Sequence, residues 1–271
     1  MSTKTKISPV PFTALLFVLL SYVHHGQIKS PGTEKVKTIT HAIEKKIYIQ
    51  KNDTLPYRLI YPGEENSAKK LPLLIYLHGM GSRGNDNEKP SQKFSSFFTD
   101  SLQRTSYPCY VLVPQCPLTD VWVSFPQFPN SLTATQNPTP STKLVLELIR
   151  YLIESKNIDK DRIYLTGYSM GGEGTFDLLS REPSLFACGV PLASVADTAN
   201  ADRIKNIPIW AFHGSSDKVN DVKYPRLMVE AIRKKGGRPK FTELQGVQHD
   251  CMKEAYGNPE LWKWVFEQRR N

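Results

Sequence analysis

The sequence predicts an α/β protein: a mostly parallel sheet with antiparallel strands at its N-terminal side and helices on both faces. Three observations carry that prediction. Residues 43–50 and 57–61 alternate apolar with polar side chains around Asn52-Asp53, the pattern of an antiparallel hairpin with one covered face. Residues 71–77 (Leu-Pro-Leu-Leu-Ile-Tyr-Leu) are almost wholly apolar, as a strand buried on both faces must be. Beyond them, apolar runs alternate with stretches of helical period, and such alternation builds a parallel sheet covered on both sides. A chain of 271 residues, 39% hydrophobic and 23% charged, suits one such domain over residues 27–271.

The first 26 residues stand apart. Lys4 and Lys6 make a basic start, and residues 12–23 are apolar except for Thr13 and Ser21. That run is too short to cross a bilayer, so it reads as a secretory signal peptide cleaved near Gly26, the alternative being an uncleaved anchor. No cysteine follows it to take a bacterial lipid anchor. The expectation is a secreted or periplasmic protein with no stable membrane insertion after signal removal. Loss of the two lysines lowers the formal charge from +9 to +7. The remaining basic residues are interleaved with carboxylates and show no aromatic–basic alternation, which argues for a solvated cationic surface and against nucleic acid. Of the four cysteines, Cys109 and Cys116 bracket a strand-like stretch that spans about 23 Å when extended, too far for a disulfide. The pairing of Cys188 and Cys251 is open. No Cys/His spacing resembles a zinc site.

The other elements follow in order. Residues 31–40 are a polar leader. The strand at 71–77 ends in a glycine-rich loop, His78-Gly79-Met80-Gly81-Ser82-Arg83-Gly84. A helix is expected over 90–103, with Phe94, Phe97 and Phe98, then a strand over 109–113. Residues 117–140 are proline-rich and without period, but carry Trp122, Phe125 and Phe128. A stretch of this kind leaving the carboxyl edge of a sheet is expected to be a functional insert whose aromatics line the substrate pocket. Ser141 can cap the next helix, in which Leu144, Val145, Leu148, Ile149 and Leu152 recur with helical period. Strands are expected at 162–166, 186–192, 207–212 and 240–244. A helix is expected at 222–235, and Asn258-Pro259 opens a last one.

The chemistry centres on Gly167-Tyr168-Ser169-Met170-Gly171. This G-x-S-x-G pattern follows a strand and precedes a helix, as a nucleophile elbow does. The helix beginning at Met170 turns its free N–H groups toward an oxyanion at Ser169. A serine hydroxyl needs a base, and the base needs an acid to orient it. His249 lies just after the 240–244 strand and is the best-placed base. His213 sits in a strand-end turn as a core histidine bonded to backbone, and His78 shapes the glycine-rich loop. For the acid, Asp217 and Asp197 both follow strands and both satisfy the order Ser…Asp…His. Asp217 lies in the shorter turn, which fixes a carboxylate better.

Four segments occur in one order: residues 78–87, 161–172, 212–217 and 246–250. Together they resemble the α/β-hydrolase fold, specifically the phospholipase/carboxylesterase-type serine esterases related to the prolyl oligopeptidase and dienelactone hydrolase families. The resemblance spans roughly residues 45–270. It implies Ser169 as nucleophile, Asp217 as acid, His249 as base and the backbone N–H groups of Met80 and Met170 as oxyanion hole. It further implies an acyl-enzyme route through carboxylic esters, small or polysaccharide-linked, with no metal or organic cofactor. The serine departs from the cysteine of dienelactone hydrolases proper, and no propeller domain accompanies it. The competing readings are a small serine peptidase and a non-enzymatic binding protein on the same fold.

Overall fold

The computed structural model describes residues 43–62, 69–90 and 100–270. The signal peptide read over residues 1–26, the leader at 31–40 and most of the helix expected over 90–103, with its three phenylalanines, lie outside them.

Among the described residues, eight strands form one sheet in the order β1-β2-β4-β3-β5-β6-β7-β8. They are β1 (Ile43–Gln50), β2 (Asp53–Ile60), β3 (Leu71–Leu77), β4 (Tyr110–Pro114), β5 (Ile158–Tyr168), β6 (Cys188–Leu192), β7 (Trp210–Gly214) and β8 (Lys240–Leu244). β1 and β2 form the expected hairpin, β2 runs antiparallel to β4, and every pairing from β4 to β8 is parallel.

The near-continuous apolarity of β3 has its cause in the pleat. Leu73, Ile75 and Leu77 enter one core; Leu74 and Tyr76 enter the other. Helices α2 (Pro140–Ser155), α3 (Met170–Arg181), α4 (Ala201–Ile204) and α5 (Lys223–Lys234), following α1 (Ser101–Ser106), cover the first face. Helices α6 (Met252–Tyr256) and α7 (Pro259–Glu267) cover the second. The start of α2 differs from expectation. Its N-cap is Thr139, whose hydroxyl accepts from Thr142 N, and Pro140 rather than Ser141 opens the helix. Proline suits that first position because its missing N–H would have had no partner there. All four cysteines are free and buried.

Parallel strands put the loops that follow them on one edge. The loops after β3, β5, β7 and β8 carry Met80, Ser169, Asp217 and His249 respectively, so four distant stretches of sequence meet at that edge. No helix among the described residues is long and apolar enough to cross a membrane.

Candidate active site

Ser169 is the hinge between β5 and α3. Its backbone sits at φ 56°, ψ −122°, a conformation that non-glycine residues avoid. Bonds on both sides impose it: Ser169 N donates to Leu192 O at 2.9 Å, and Ser169 O accepts from Glu173 N at 3.0 Å. The flanking glycines are needed for space. A Cβ on Gly167 would run into the carbonyl of Gly171, and one on Gly171 would run into that of Leu77.

His249 Nε2 lies 2.9 Å from Ser169 Oγ, and His249 Nδ1 lies 2.7 Å from Asp217 Oδ2. A carboxylate only accepts, so Nδ1 carries the ring proton and Nε2 is left bare to accept the serine hydroxyl. Asp217 is itself fixed by three hydrogen-bond donors. Val219 N and Asn220 N reach Oδ1 at 2.8 and 3.0 Å, and His249 Nδ1 reaches Oδ2; His213 Nε2 lies 3.2 Å from Oδ2. His213 is fully buried, and burial pushes its pKa down. Its Nε2 also meets Asn220 O at 2.8 Å, so the proton is there and the ring is neutral. The expected backbone bond is present, and the contact with Asp217 adds to it.

Asp197, the other acid weighed, is engaged elsewhere. Its Oδ1 accepts from Ala199 N at 2.9 Å, and its Oδ2 accepts from Ala134 N at 3.0 Å. It caps the short turn Thr198–Asn200 and pins the second half of the 117–140 segment.

Met80 is the first residue of a short helical turn after β3, and Met170 is the first residue of α3. First-turn amides have no partner inside their own helix, so both N–H groups are free to serve a ligand. The Met80 loop is held from below. His78 Nδ1 donates to Gly79 O at 2.8 Å, and its Nε2 accepts from Cys116 N at 3.0 Å. Burial lowers the His78 pKa to about 4, so the ring stays neutral, as this donor–acceptor pattern demands.

The three aromatics of the 117–140 segment do not converge. Trp122 is fully buried: its indole N–H donates to His78 O at 2.9 Å, and its ring meets that of His78 edge-on at 5.2 Å. The expectation that Trp122 lines the pocket is therefore corrected, since a side chain with no accessible surface and a committed N–H braces the Met80 loop. Phe125 borders a small cavity beside α3, and Phe128 is 51% exposed. Residues 117–139 form neither helix nor strand, yet the segment is firmly tied. Arg181, paired with Asp177 at 2.6 Å, donates to Thr135 O and Gln136 O at 2.8 Å each.

Sequence reading missed Tyr168, whose ring lies 5.2 Å from that of His249 and fills the space a Cβ on Gly79 would meet. Its place inside G-x-S-x-G was the available signal.

A serine on a strand-to-helix elbow at the carboxyl edge of this sheet defines an α/β hydrolase. Within that class the chain belongs to the phospholipase/carboxylesterase family, whose model matches residues 63–257. It is similar to a thermostable esterase of known structure (TM-score 0.78, 33% identity, 84% of this chain and 63% of that one). A bifunctional acetylxylan esterase/xylanase of Neocallimastix patriciarum is 26% identical over 155 residues, 57% of this chain and 20% of that protein. A probable carboxylesterase of Oryza sativa subsp. japonica is 23% identical over 72% of this chain and 78% of its own length. The chain thus spans a fifth of the fungal relative and under two thirds of the thermostable esterase. A ferulic acid esterase from Anaeromyces mucronatus shares the fold (TM-score 0.57, 18% identity, 86% of this chain and 93% of that one).

Proposed function

We propose that this protein is an exported serine esterase that hydrolyses carboxylic esters through an acyl-enzyme. The observation that carries the reading is the line of hydrogen bonds Ser169–His249–Asp217, at 2.9 and 2.7 Å. In the first half-reaction His249 Nε2 takes the Ser169 hydroxyl proton as Oγ attacks the ester carbonyl. The imidazolium so formed is stabilised by Asp217, whose carboxylate is already oriented. The amides of Met80 and Met170 receive the developing oxyanion without reorganising. His249 then protonates the departing alcohol, the acyl group stays on Ser169, and water repeats the cycle to release the acid.

The names of the relatives, acetylxylan esterase and ferulic acid esterase, favour an ester carried on a polysaccharide over a free small ester. Export rests on the signal-peptide pattern of residues 1–26. It is checked by the intact mass of secreted or periplasmic protein, whose first residue should fall between about 22 and 30. The activity is tested by offering purified protein aryl acetates, methyl ferulate and acetylated xylan beside Ser169→Ala and His249→Ala controls. Hydrolysis lost in both controls is the expected result; turnover that survives in either one refutes the assignment.

A further inference from the structure

Asn220 is buried three residues after the acid. Its N–H donates to Asp217 Oδ1 at 3.0 Å, and its C=O accepts from His213 Nε2 at 2.8 Å. Those are backbone bonds that nearly any side chain at this position would permit. The side chain itself reaches another loop: its Nδ2 donates to Ala193 O at 2.8 Å, just past β6.

The same corner holds the nucleophile. Ser169 N donates to Leu192 O at 2.9 Å, and Leu192 is the last residue of β6. Two successive carbonyls thus serve two sides of the site, Leu192 O the elbow after β5 and Ala193 O the acid loop after β7. The corner is itself constrained. Ala193 is fully buried at φ 49°, a left-handed conformation that a residue with a Cβ seldom adopts. Such a conformation persists only where the surroundings fix it on several sides. Here the Ala193 N–H donates to Phe212 O in β7 at 3.0 Å, and the Ala193 carbonyl takes the Asn220 amide. The start of α3 packs onto this corner as well: a Cβ on Gly172 would meet Leu192 O at 2.6 Å and Ser194 Cβ at 2.7 Å.

Other roles fit the Asn220 side chain less well. As a substrate contact it is badly placed, being 6% exposed with its Nδ2 committed. As plain filling it is a poor choice, because an apolar side chain of similar volume would serve without desolvating an amide. As a turn former it is not needed, since the Asp217 carboxylate already closes the turn by accepting from Val219 N and Asn220 N. We propose that Asn220 is a positioning residue, whose side-chain amide on Ala193 O fixes the acid loop against the nucleophile elbow and so holds Asp217 in line with His249 and Ser169. The inference rests on the triad reading above.

The test combines steady-state kinetics on an aryl acetate with the far-downfield proton resonance of the His249 Nδ1–H···Asp217 bond. Asn220→Ala and Asn220→Leu should each lower kcat roughly ten- to a hundredfold, as small misplacements of catalytic groups do, with KM nearly unchanged. The downfield proton should broaden or vanish in both. Leucine keeps the bulk and loses the amide, so an Asn220→Leu variant that matches the parent protein overturns the proposal. Because Asn220 acts through Asp217, adding Asn220→Leu to Asp217→Asn should cost little further turnover, and losses that multiply in full overturn the proposal too. Unchanged kcat with an intact proton signal does the same, as does a shift confined to KM. Should both variants melt below the assay temperature, Asn220→Asp decides by the same readouts, since it keeps the shape but cannot donate to Ala193 O. Ser169→Ala separates this from the parent reading, since it should abolish turnover yet keep the downfield proton. Activity retained in Ser169→Ala would discard the triad, whereas the proton signal of the Asn220 variants would still decide the role of the amide.

Discussion

Asp217 Oδ2 is shared by two histidines, His249 Nδ1 at 2.7 Å and His213 Nε2 at 3.2 Å, of which only His249 reaches Ser169. His213 does not reach the serine: its ring is buried and its Nε2 proton goes to the carbonyl of Asn220. In the proposed mechanism this carboxylate orients His249 for chemistry, while the neighbouring His213 is committed to the backbone.

Asp217→Asn should keep the fold but offer His249 Nδ1 an amide, favouring the wrong tautomer at a cost of roughly 10⁴ in turnover. Asp197→Asn should leave turnover within a few-fold, since its carboxylate accepts from Ala134 N and Ala199 N and not from His249. Parallel kinetics on the two variants check this, and the reverse ranking would move the acid to the loop after β6.

Ser169→Ala and His249→Ala should each remove on the order of 10⁴ to 10⁶ of turnover, with the double variant little worse, because these side chains act as a unit. Losses that multiply across the two sites would mean that they act independently.

Much of this was legible in the sequence because it rests on local rules. The apolar run at 71–77 and the glycines around Ser169 each report a local steric or solvation demand, and each element is where those demands put it; the alternation at 43–50 does mark a strand, but its Ile43, Ile47 and Ile49 are exposed and not on a covered face. Side-chain destinations across the fold were less legible. Trp122 looked like pocket lining because an aromatic in a proline-rich stretch has no periodicity to assign it to a core. Its burial depends on His78 and Gly174, 44 and 52 positions away. Asn220, whose N–H holds Asp217, carried no signal, since a loop asparagine ordinarily serves a turn. The cap at Thr139 was missed because Thr139 and Ser141 are both good caps and only the position of Pro140 separates them.

The aromatics of the 117–140 segment should separate by function. Phe125→Ala and Phe128→Ala should alter relative kcat/KM among esters of different acyl and alcohol groups, by ~10–200-fold if the lost contact is worth about 1–3 kcal/mol. Trp122→Ala should instead cost about 3–5 kcal/mol of stability. Substrate panels run beside melting curves distinguish the two. An unchanged substrate ranking in both phenylalanine variants would assign them to structure alone.

Two groups, the buried His78 and the half-buried Glu173, pull the pH dependence of stability in opposite directions. His78 titrates at about 4 when folded and at an ordinary value of 6.5 when unfolded. Between those values the unfolded chain holds the extra proton, so stability falls as pH falls, by at most about 3 kcal/mol. Glu173 is shifted upward, from 4.5 to about 7. In that window the folded chain holds the extra proton, so stability falls as pH rises, again by at most about 3 kcal/mol. Glu173→Gln should therefore melt progressively higher than the parent protein as pH goes from 5 to 8. A difference in melting temperature that does not vary with pH would contradict this.

The central claim is that Ser169 is the nucleophile, activated by His249. It is tested most directly by treating the protein with a fluorophosphonate and locating the adduct by peptide mass spectrometry. A single adduct on Ser169 is expected, with esterase activity lost in proportion to labelling, and labelling should fall by several orders of magnitude in His249→Ala. An adduct on another residue, or full labelling of Ser169 in the His249→Ala variant, would contradict the account.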